Sequence, residues 1–204
     1  MFFMQGDMLL LFFVMTVGAV FKVAGALSAD SPYSNVGAQR ELLQMLAYEP
    51  LVILTFVGMS AATGSFMISD IYALDVPLLP HLPFLFIALG YALTIKLAKS
   101  PFDIASCHHG HQEIVRGVLT DYSGPQLALL EISHWLDVIL LLGLCSLFWH
   151  TSITGMAVLL VLTYALEIVV DNVCARMTWR WMLKHAFGIT LGLAIFNILW
   201  LYVR

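Results

Sequence analysis

Residues 153–170 read ITGMAVLLVLTYALEIVV, and this stretch decides what kind of protein to expect. Glu167 is its single charged side chain. Because an α-helix rises about 1.5 Å per residue, the stretch would reach about 27 Å as a helix, close to the hydrocarbon thickness of a bilayer. We therefore predict a transmembrane helix here.

Five further apolar runs flank this one, and together they predict an all-α, polytopic integral membrane protein. With 153–170 they give about six transmembrane helices in one membrane domain, residues 1–204: 8–27, 50–68, 83–98, 127–148 and 186–203. Asp7, not a basic segment, precedes the first run, so we interpret it as a membrane helix and not as a secretion signal. The composition agrees, because 61% of residues are hydrophobic and 11% are charged, whereas soluble domains average about 25% charged.

The basic residues predict the sidedness of the helices. Almost all of them fall on one side, in or next to the segments 28–49, 99–126 and 171–185: Arg40, Lys96, Lys99, Arg116, Arg176, Arg180 and Lys184. By the positive-inside rule those long loops are cytoplasmic, in a multi-pass protein of the plasma (inner) membrane. The net charge of −4 argues against nucleic acid as a partner.

Two of these cytoplasmic loops carry helical patterns of their own. In 28–49 and again in 99–126, apolar residues recur at helical spacing opposite polar ones. We predict a short amphipathic helix in each loop, lying at the membrane surface or against a partner.

Ionisable residues inside apolar helices are the candidates for ion movement, because their burial in a membrane is costly. Two groups share helix faces, and a further acid precedes Pro50: Glu131, His134 and Asp137; Glu167 and Asp171; and Glu49. Carboxylates as close as Glu167 and Asp171 should resist ionising together, so a shared proton is plausible. The alternative is that these groups pair with Arg or Lys at helix ends and only fix the packing.

The tract Cys107-His108-His109-Gly110-His111 offers possible metal ligands, but its spacing is not that of a structural zinc site. We interpret His108, His109 and His111 as a protonatable surface beside Glu113 and Arg116. Cys107, Cys145 and Cys174 lie far apart, so we predict no metal site and no cofactor in this chain.

Several motifs resemble one family. They are SPYSNVGAQRE at 31–41, SPFDI at 100–104, HHGHQEIVRG at 108–117 and TDYSGP at 120–125. They resemble membrane subunit 1 of respiratory complex I and its counterparts in energy-converting (group 4) [NiFe] hydrogenases, and the His-rich loop is similar to the Ech and Mbh types. By motif position, six residues match the family's polar loop residues near the junction with the soluble arm: Arg40, Glu41, Glu49, Asp103, Glu113 and Asp121.

The resemblance implies a membrane anchor that couples electron transfer to ion movement in a ferredoxin-linked, H2-evolving complex. Its implied partners are the hydrogenase large and small subunits, an iron–sulfur subunit and antiporter-like membrane subunits. The [NiFe] centre and the iron–sulfur clusters would lie in those partners. Family members usually have two further helices before the first one seen here, so we expect that this sequence starts at the third.

Other functions stay open at this point. One alternative is the equivalent subunit of a quinone-reducing, formate-linked or sulfur-reducing relative of complex I. A stand-alone secondary transporter is another, although we find no internal repeat of the kind such transporters contain. A purely structural anchor is the third. The residues do not distinguish H⁺ from Na⁺ as the transported ion.

Overall fold

The computed structural model describes residues 6–98, 100–102 and 117–203, and their backbone is almost entirely helical. In chain order the α-helices of this part are α1 Met8–Leu27, α2 Pro32–Thr63, α3 Ile68–Tyr72, α4 Pro83–Lys96, α5 Gly124–Ser146, α6 Ile153–Val173, α7 Trp179–Lys184 and α8 Leu191–Val203. A π-helical turn, His185–Thr190, joins α7 to α8. The prediction of an all-α, polytopic membrane protein is confirmed.

Five helical segments of the described part are long and apolar enough to cross a membrane: Met8–Leu27, Pro32–Thr63, Gly124–Trp149, Ile153–Val173 and Trp179–Val203. The predicted span at 83–98 is apolar but forms the shorter helix α4, of 14 residues. Such a helix reaches only about 21 Å. The last span begins at Trp179 and so includes residues that we had assigned to the loop 171–185.

The helix continues across the predicted boundary between the first long loop and the second span. Instead of a loop at 28–49 with a separate amphipathic helix, α2 continues without interruption through Pro50 to Thr63. Proline removes a helical N–H and disfavours the helix interior. However, Tyr48 and Leu51 on either side of it are buried in one core, and this packing favours a continuous helix. For the second loop, residues 103–116 lie outside the described part, and its predicted helix stays a prediction.

Local sequence explains several helix ends. Asp7 caps α1, since its carboxylate accepts a hydrogen bond from the Leu9 amide at 2.9 Å. Gly64 ends α2 with a φ of +79°, a conformation that glycine adopts without a steric penalty. The first amides of α4 have a partner from another helix: Asn197 Oδ1 accepts from the Phe84 amide at 2.9 Å and the Leu85 amide at 3.3 Å. Asn197 thus supplies the cap that the sequence before α4 lacks.

The core lies along α2, which packs against α1, α4 and α8. In its most apolar 18-residue window 56% of the residues are buried, against 11% in α6. Phe56 and Met59 of α2 and Leu85 and Leu89 of α4 are fully buried members of this core. By contrast α6 exposes large apolar side chains, such as Leu162 and Val161, as expected of a surface that faces lipid or another subunit.

Candidate functional site

Lysines and carboxylates pair between neighbouring membrane helices. Lys22 Nζ of α1 lies 2.9 Å from Glu41 Oε1 of α2. Lys96 Nζ of α4 lies 2.8 Å from Asp137 Oδ2 of α5. These side chains are mostly buried: 28% and 14% of the Lys22 and Glu41 side chains are exposed, and 11% and 32% of those of Lys96 and Asp137. Because buried charges need partners, each of these ion pairs links two neighbouring helices.

A cavity of about 280 Å³ lies between the two ion pairs, and we call it the lysine cavity. Both lysines and both carboxylates line it, and so do polar side chains from α2, α5 and the segment before α5: Gln44, Tyr48, Tyr122, Ser133 and His134. A cavity of this size with charged and polar groups in its wall has room and hydrogen-bonding partners for several water molecules. Water-borne protons or a small cation could therefore reach the charged groups.

Glu49 lies beside this cavity, separated from it by Lys96 and Tyr48. A water-sized space of about 10 Å³ is lined by Glu49, Thr16, Tyr48 and Lys96 among others, and Tyr48 and Lys96 also line the lysine cavity. Lys96 Nζ lies 5.1 Å from the centre of the Tyr48 ring. Within the described residues, Glu49 Oε1 and Tyr48 Oη are buried without a hydrogen-bond partner. Glu49 can therefore still accept a proton, an ion or a water molecule.

A second polar site surrounds Glu167, and we call it the Thr94 pocket. Its water-sized space of about 10 Å³ is lined by Thr94, Ser100, Tyr164, Glu167 and Asp171 among others. Thr94 Oγ1 donates to Glu167 Oε1 at 3.1 Å, and the Ser100 amide donates to Asp171 Oδ1 at 3.0 Å. Glu167 is only 4% exposed, and its Oε2 has no partner among the described residues.

The short helix α4 carries a side chain to each site. Thr94 reaches Glu167 of α6, while Lys96, two residues later, reaches Asp137 of α5. Since these partners lie on different helices, α4 is the element that the two sites share. A third cavity, of about 230 Å³, lies at the other end of α4 and is lined by His81, Phe84, Asn197 and Trp200 among others.

The other predicted site residues are placed as follows. His134 and Asp137 line the lysine cavity, whereas Glu131, one turn earlier on α5, is half-buried. Arg40 is half-buried on α2 next to Glu41, and Asp121 is exposed before α5. The remaining residues lie outside the described part of the chain: Asp103, His108, His109, His111, Glu113 and Arg116. Their predicted roles stay predictions.

Sequence reasoning missed the partners of the acids. It used Lys96 only to assign sidedness and gave no role to Lys22, Thr94 or Tyr48. A signal was present for Lys22, because it is the one basic residue in the apolar run 8–27, and an ionisable group in such a helix implies a buried partner. Within the described residues no group of three or more His, Cys, Asp or Glu side chains could hold a metal ion.

Comparisons with known proteins agree with this architecture. Hydrogenase-4 component C of Escherichia coli is 30% identical over 218 aligned positions, which cover 97% of this chain and 66% of that protein. An NADH-quinone oxidoreductase subunit of Geobacter metallireducens is 30% identical over 149 positions, which cover 70% of this chain and 44% of that protein. The chain thus spans from under half to about two thirds of the length of these relatives.

A solved structure and a family model extend the comparison. A chain in the structure of the membrane-bound sulfane sulfur reductase, an archaeal respiratory membrane complex, superposes with a TM-score of 0.79. It is 24% identical, and the match covers 97% of this chain and 69% of that one, so it shows a shared fold. The family model described as NADH dehydrogenase matches residues 1–202. The motifs, the membrane helices and these matches together establish that the chain belongs to the NADH dehydrogenase subunit 1 family.

Proposed function

We propose that this chain is the membrane anchor and ion-translocation coupling subunit of a ferredoxin-linked, H2-evolving [NiFe] hydrogenase complex. The similarity to Hydrogenase-4 component C, which covers 97% of the chain, is the observation that favours a hydrogenase. The buried acids and lysines between the membrane helices favour a role in ion movement, since such groups are costly in a membrane and mark ion pathways.

The partners follow from this assignment. The hydrogenase large and small subunits and an iron–sulfur subunit bind at the cytoplasmic side, on the segments 28–49, 99–126 and 171–185. Antiporter-like subunits bind within the membrane. The [NiFe] centre and the iron–sulfur clusters belong to those partners, and they supply the electron transfer that reduces protons to H2.

Lys96 is the central residue of the coupling step. Its ammonium pairs with Asp137 and lines the same small space as Glu49. At an effective dielectric constant near 20, unit charges about 4 Å apart interact by about 4 kcal/mol. A new charge that close to the lysine cavity would compete with the pairing of Lys96 and Asp137, and we propose that it shifts the ammonium toward Glu49. That shift expels a proton or cation held at Glu49 and leaves Asp137 free to accept one from the cavity.

A quinone-reducing complex is the second candidate, and one observation favours it. The Geobacter metallireducens relative is named as a subunit of an NADH-quinone oxidoreductase. In that case the lysine cavity would serve the same coupling, while the soluble arm would pass its electrons to a quinone.

Co-purification tests the proposal. The tagged chain is isolated from native membranes in mild detergent, and nickel, iron and bound quinone are measured in the complex. Nickel together with several iron atoms per chain is the expected result. Iron and quinone without nickel would establish the second candidate. A metal-free lone chain that moves a solute in liposomes would overturn both in favour of a secondary transporter.

A further inference from the structure

An apolar groove lies between α4 and α6, away from the lysine cavity. Its volume is about 530 Å³, and α4, α6, α7 and the residues Pro101 and Phe102 form its walls. The wall residues of α6 extend from Leu159 to Val170, which corresponds to about 16 Å. One leaflet of the hydrocarbon core is about 15 Å thick. The groove therefore has the length of a single lipid leaflet.

The walls of this groove suit a hydrocarbon chain. Leu162 and Leu166 of α6 are 62% and 61% exposed, and Ile87 of α4 faces them with 55% of its surface exposed. Gly90 leaves an opening in the α4 wall, because a Cβ atom placed there would meet no atom within 4 Å. A flexible acyl chain adapts to such an uneven channel and covers apolar surface along its length.

Aromatic and basic residues of α7 lie near one end of the groove. Trp181 and Met177 line that end, and the neighbouring Arg180 and Lys184 of α7 are exposed. The guanidinium carbon of Arg180 lies 5.2 Å from the centre of the Trp179 ring. Tryptophan beside arginine and lysine is typical of the level of the lipid headgroups.

The sequence that follows α6 is basic. No Asp or Glu follows Asp171 in the sequence, whereas Arg176, Arg180 and Lys184 all lie within the next thirteen positions. Arg180 and Lys184 are four residues apart on a helix and so share a face. An anionic headgroup is the complement of this surface, and each interfacial Lys or Arg contributes about 1 kcal/mol to the binding of anionic lipid.

We propose that this groove is a specific binding site for an anionic phospholipid. One acyl chain occupies the channel between α4 and α6, and the phosphate lies against Arg180 and Lys184. The lipid also covers the outer side of Thr94 and Glu167, which line the groove as well as the Thr94 pocket. It thereby separates that pocket from the surrounding bilayer. The proposal is independent of which soluble partner the chain binds.

Fluorescence quenching tests the headgroup contact. The tagged chain, with the subunits that accompany it, is stripped of lipid and titrated with brominated phosphatidylglycerol or with brominated phosphatidylcholine of the same acyl chains. Trp181→Phe identifies the quenching that arises in the groove. We expect phosphatidylglycerol to bind more tightly, and Arg180→Gln with Lys184→Gln to weaken it about 10- to 30-fold, at roughly 1 kcal/mol per charge. Arg204→Gln removes the same type of charge elsewhere in the sequence and should change the affinity less than about twofold.

A second pair of variants tests the channel itself. Gly90→Leu fills the groove and should abolish quenching of Trp181 by either lipid. Gly143→Leu is the matched control, because Gly143 lies on an exposed face of α5 and its Cβ would also meet no atom within 4 Å. Equal affinity for the two lipids, or unchanged quenching in Gly90→Leu, would overturn the proposal. So would cross-linking of Leu162→Cys to a neighbouring subunit in the intact complex, since a protein helix would then occupy the groove.

Discussion

The lysine cavity and the Thr94 pocket both hold buried carboxylates, but they satisfy them by different means. In the lysine cavity, Glu41 and Asp137 each face a lysine ammonium at 2.9 and 2.8 Å. In the Thr94 pocket, Glu167 accepts a hydrogen bond from the neutral Thr94 hydroxyl, and the Ser100 amide donates to Asp171. Glu41 and Asp137 are thus balanced by cations, whereas Glu167 accepts a neutral hydrogen bond.

This difference indicates which of the two sites will respond to a change in a nearby charge. Removing one member of a buried ion pair leaves the other charge uncompensated, which costs about 3–5 kcal/mol. Removing one neutral hydrogen bond costs about 1 kcal/mol. We therefore expect the lysine cavity to respond strongly to an approaching charge, and the Thr94 pocket to hold its geometry.

The largest effect is expected for Lys96→Met. It leaves Asp137 without its cation and Glu49 without the ammonium beside it, so ion uptake into inverted vesicles should fall to background while electron transfer continues. Lys96→Arg should retain part of the uptake. The destabilisation, about 3–5 kcal/mol for a broken buried pair, should be largely removed in the double variant Lys96→Met/Asp137→Leu. Full ion uptake in Lys96→Met would contradict the proposed role of the lysine.

A smaller effect is expected for Glu49→Gln, which keeps the shape of the side chain and removes its charge. The complex should assemble normally, while ion uptake per electron falls about tenfold or more, as for loss of a positioned proton-transfer group. Asp70→Asn on α3 is the control, since that carboxylate is exposed and should tolerate the same change. If ion uptake per electron fell in both variants, or in neither, Glu49 would have no specific role in ion transport.

The smallest effect is expected in the Thr94 pocket. Thr94→Val removes the hydroxyl that donates to Glu167 and should lower the free energy of unfolding by about 1 kcal/mol, with ion uptake reduced less than in Glu49→Gln. Thr163→Val is the control, because the Thr163 hydroxyl bonds to Leu159 within its own helix. If Thr94→Val uncoupled the complex as strongly as Lys96→Met, the distinction between the two sites would be lost. Thermal unfolding measures the loss of stability in Thr94→Val, and ion uptake into inverted vesicles measures its effect on transport.

The sequence was sufficient to predict an all-α, polytopic membrane protein but not the full length of α2. Apolar runs of bilayer length are a local signal, so they can be read one segment at a time. The first half of α2 is polar, and we predicted a loop there with a short amphipathic helix of its own. In the structure Ser34 and Gln44 are buried, and Gln44 Nε2 donates to the Phe102 carbonyl at 2.7 Å. That contact joins residues 58 positions apart, and no local pattern indicates it.

For the site, the acids could be predicted and their partners could not. Glu49, Asp137 and Glu167 stand out as costly residues in apolar surroundings. Which cation meets them depends on the packing of helices that are distant in sequence. Lys96 and Asp137, for example, lie 41 positions apart. The same packing decides that Thr94, an ordinary residue in the sequence, becomes the donor to Glu167.

The shortness of α4 has an electrical consequence. One end of this helix adjoins the lysine cavity, and the cavity of about 230 Å³ near His81 and Asn197 adjoins the other. Where water fills such spaces, the transmembrane voltage falls mainly across the dry segment between them, here about 21 Å of helix. A monovalent ion that travels the length of α4 therefore does nearly all of its electrical work beside this one helix, about 2.3 kcal/mol per 100 mV.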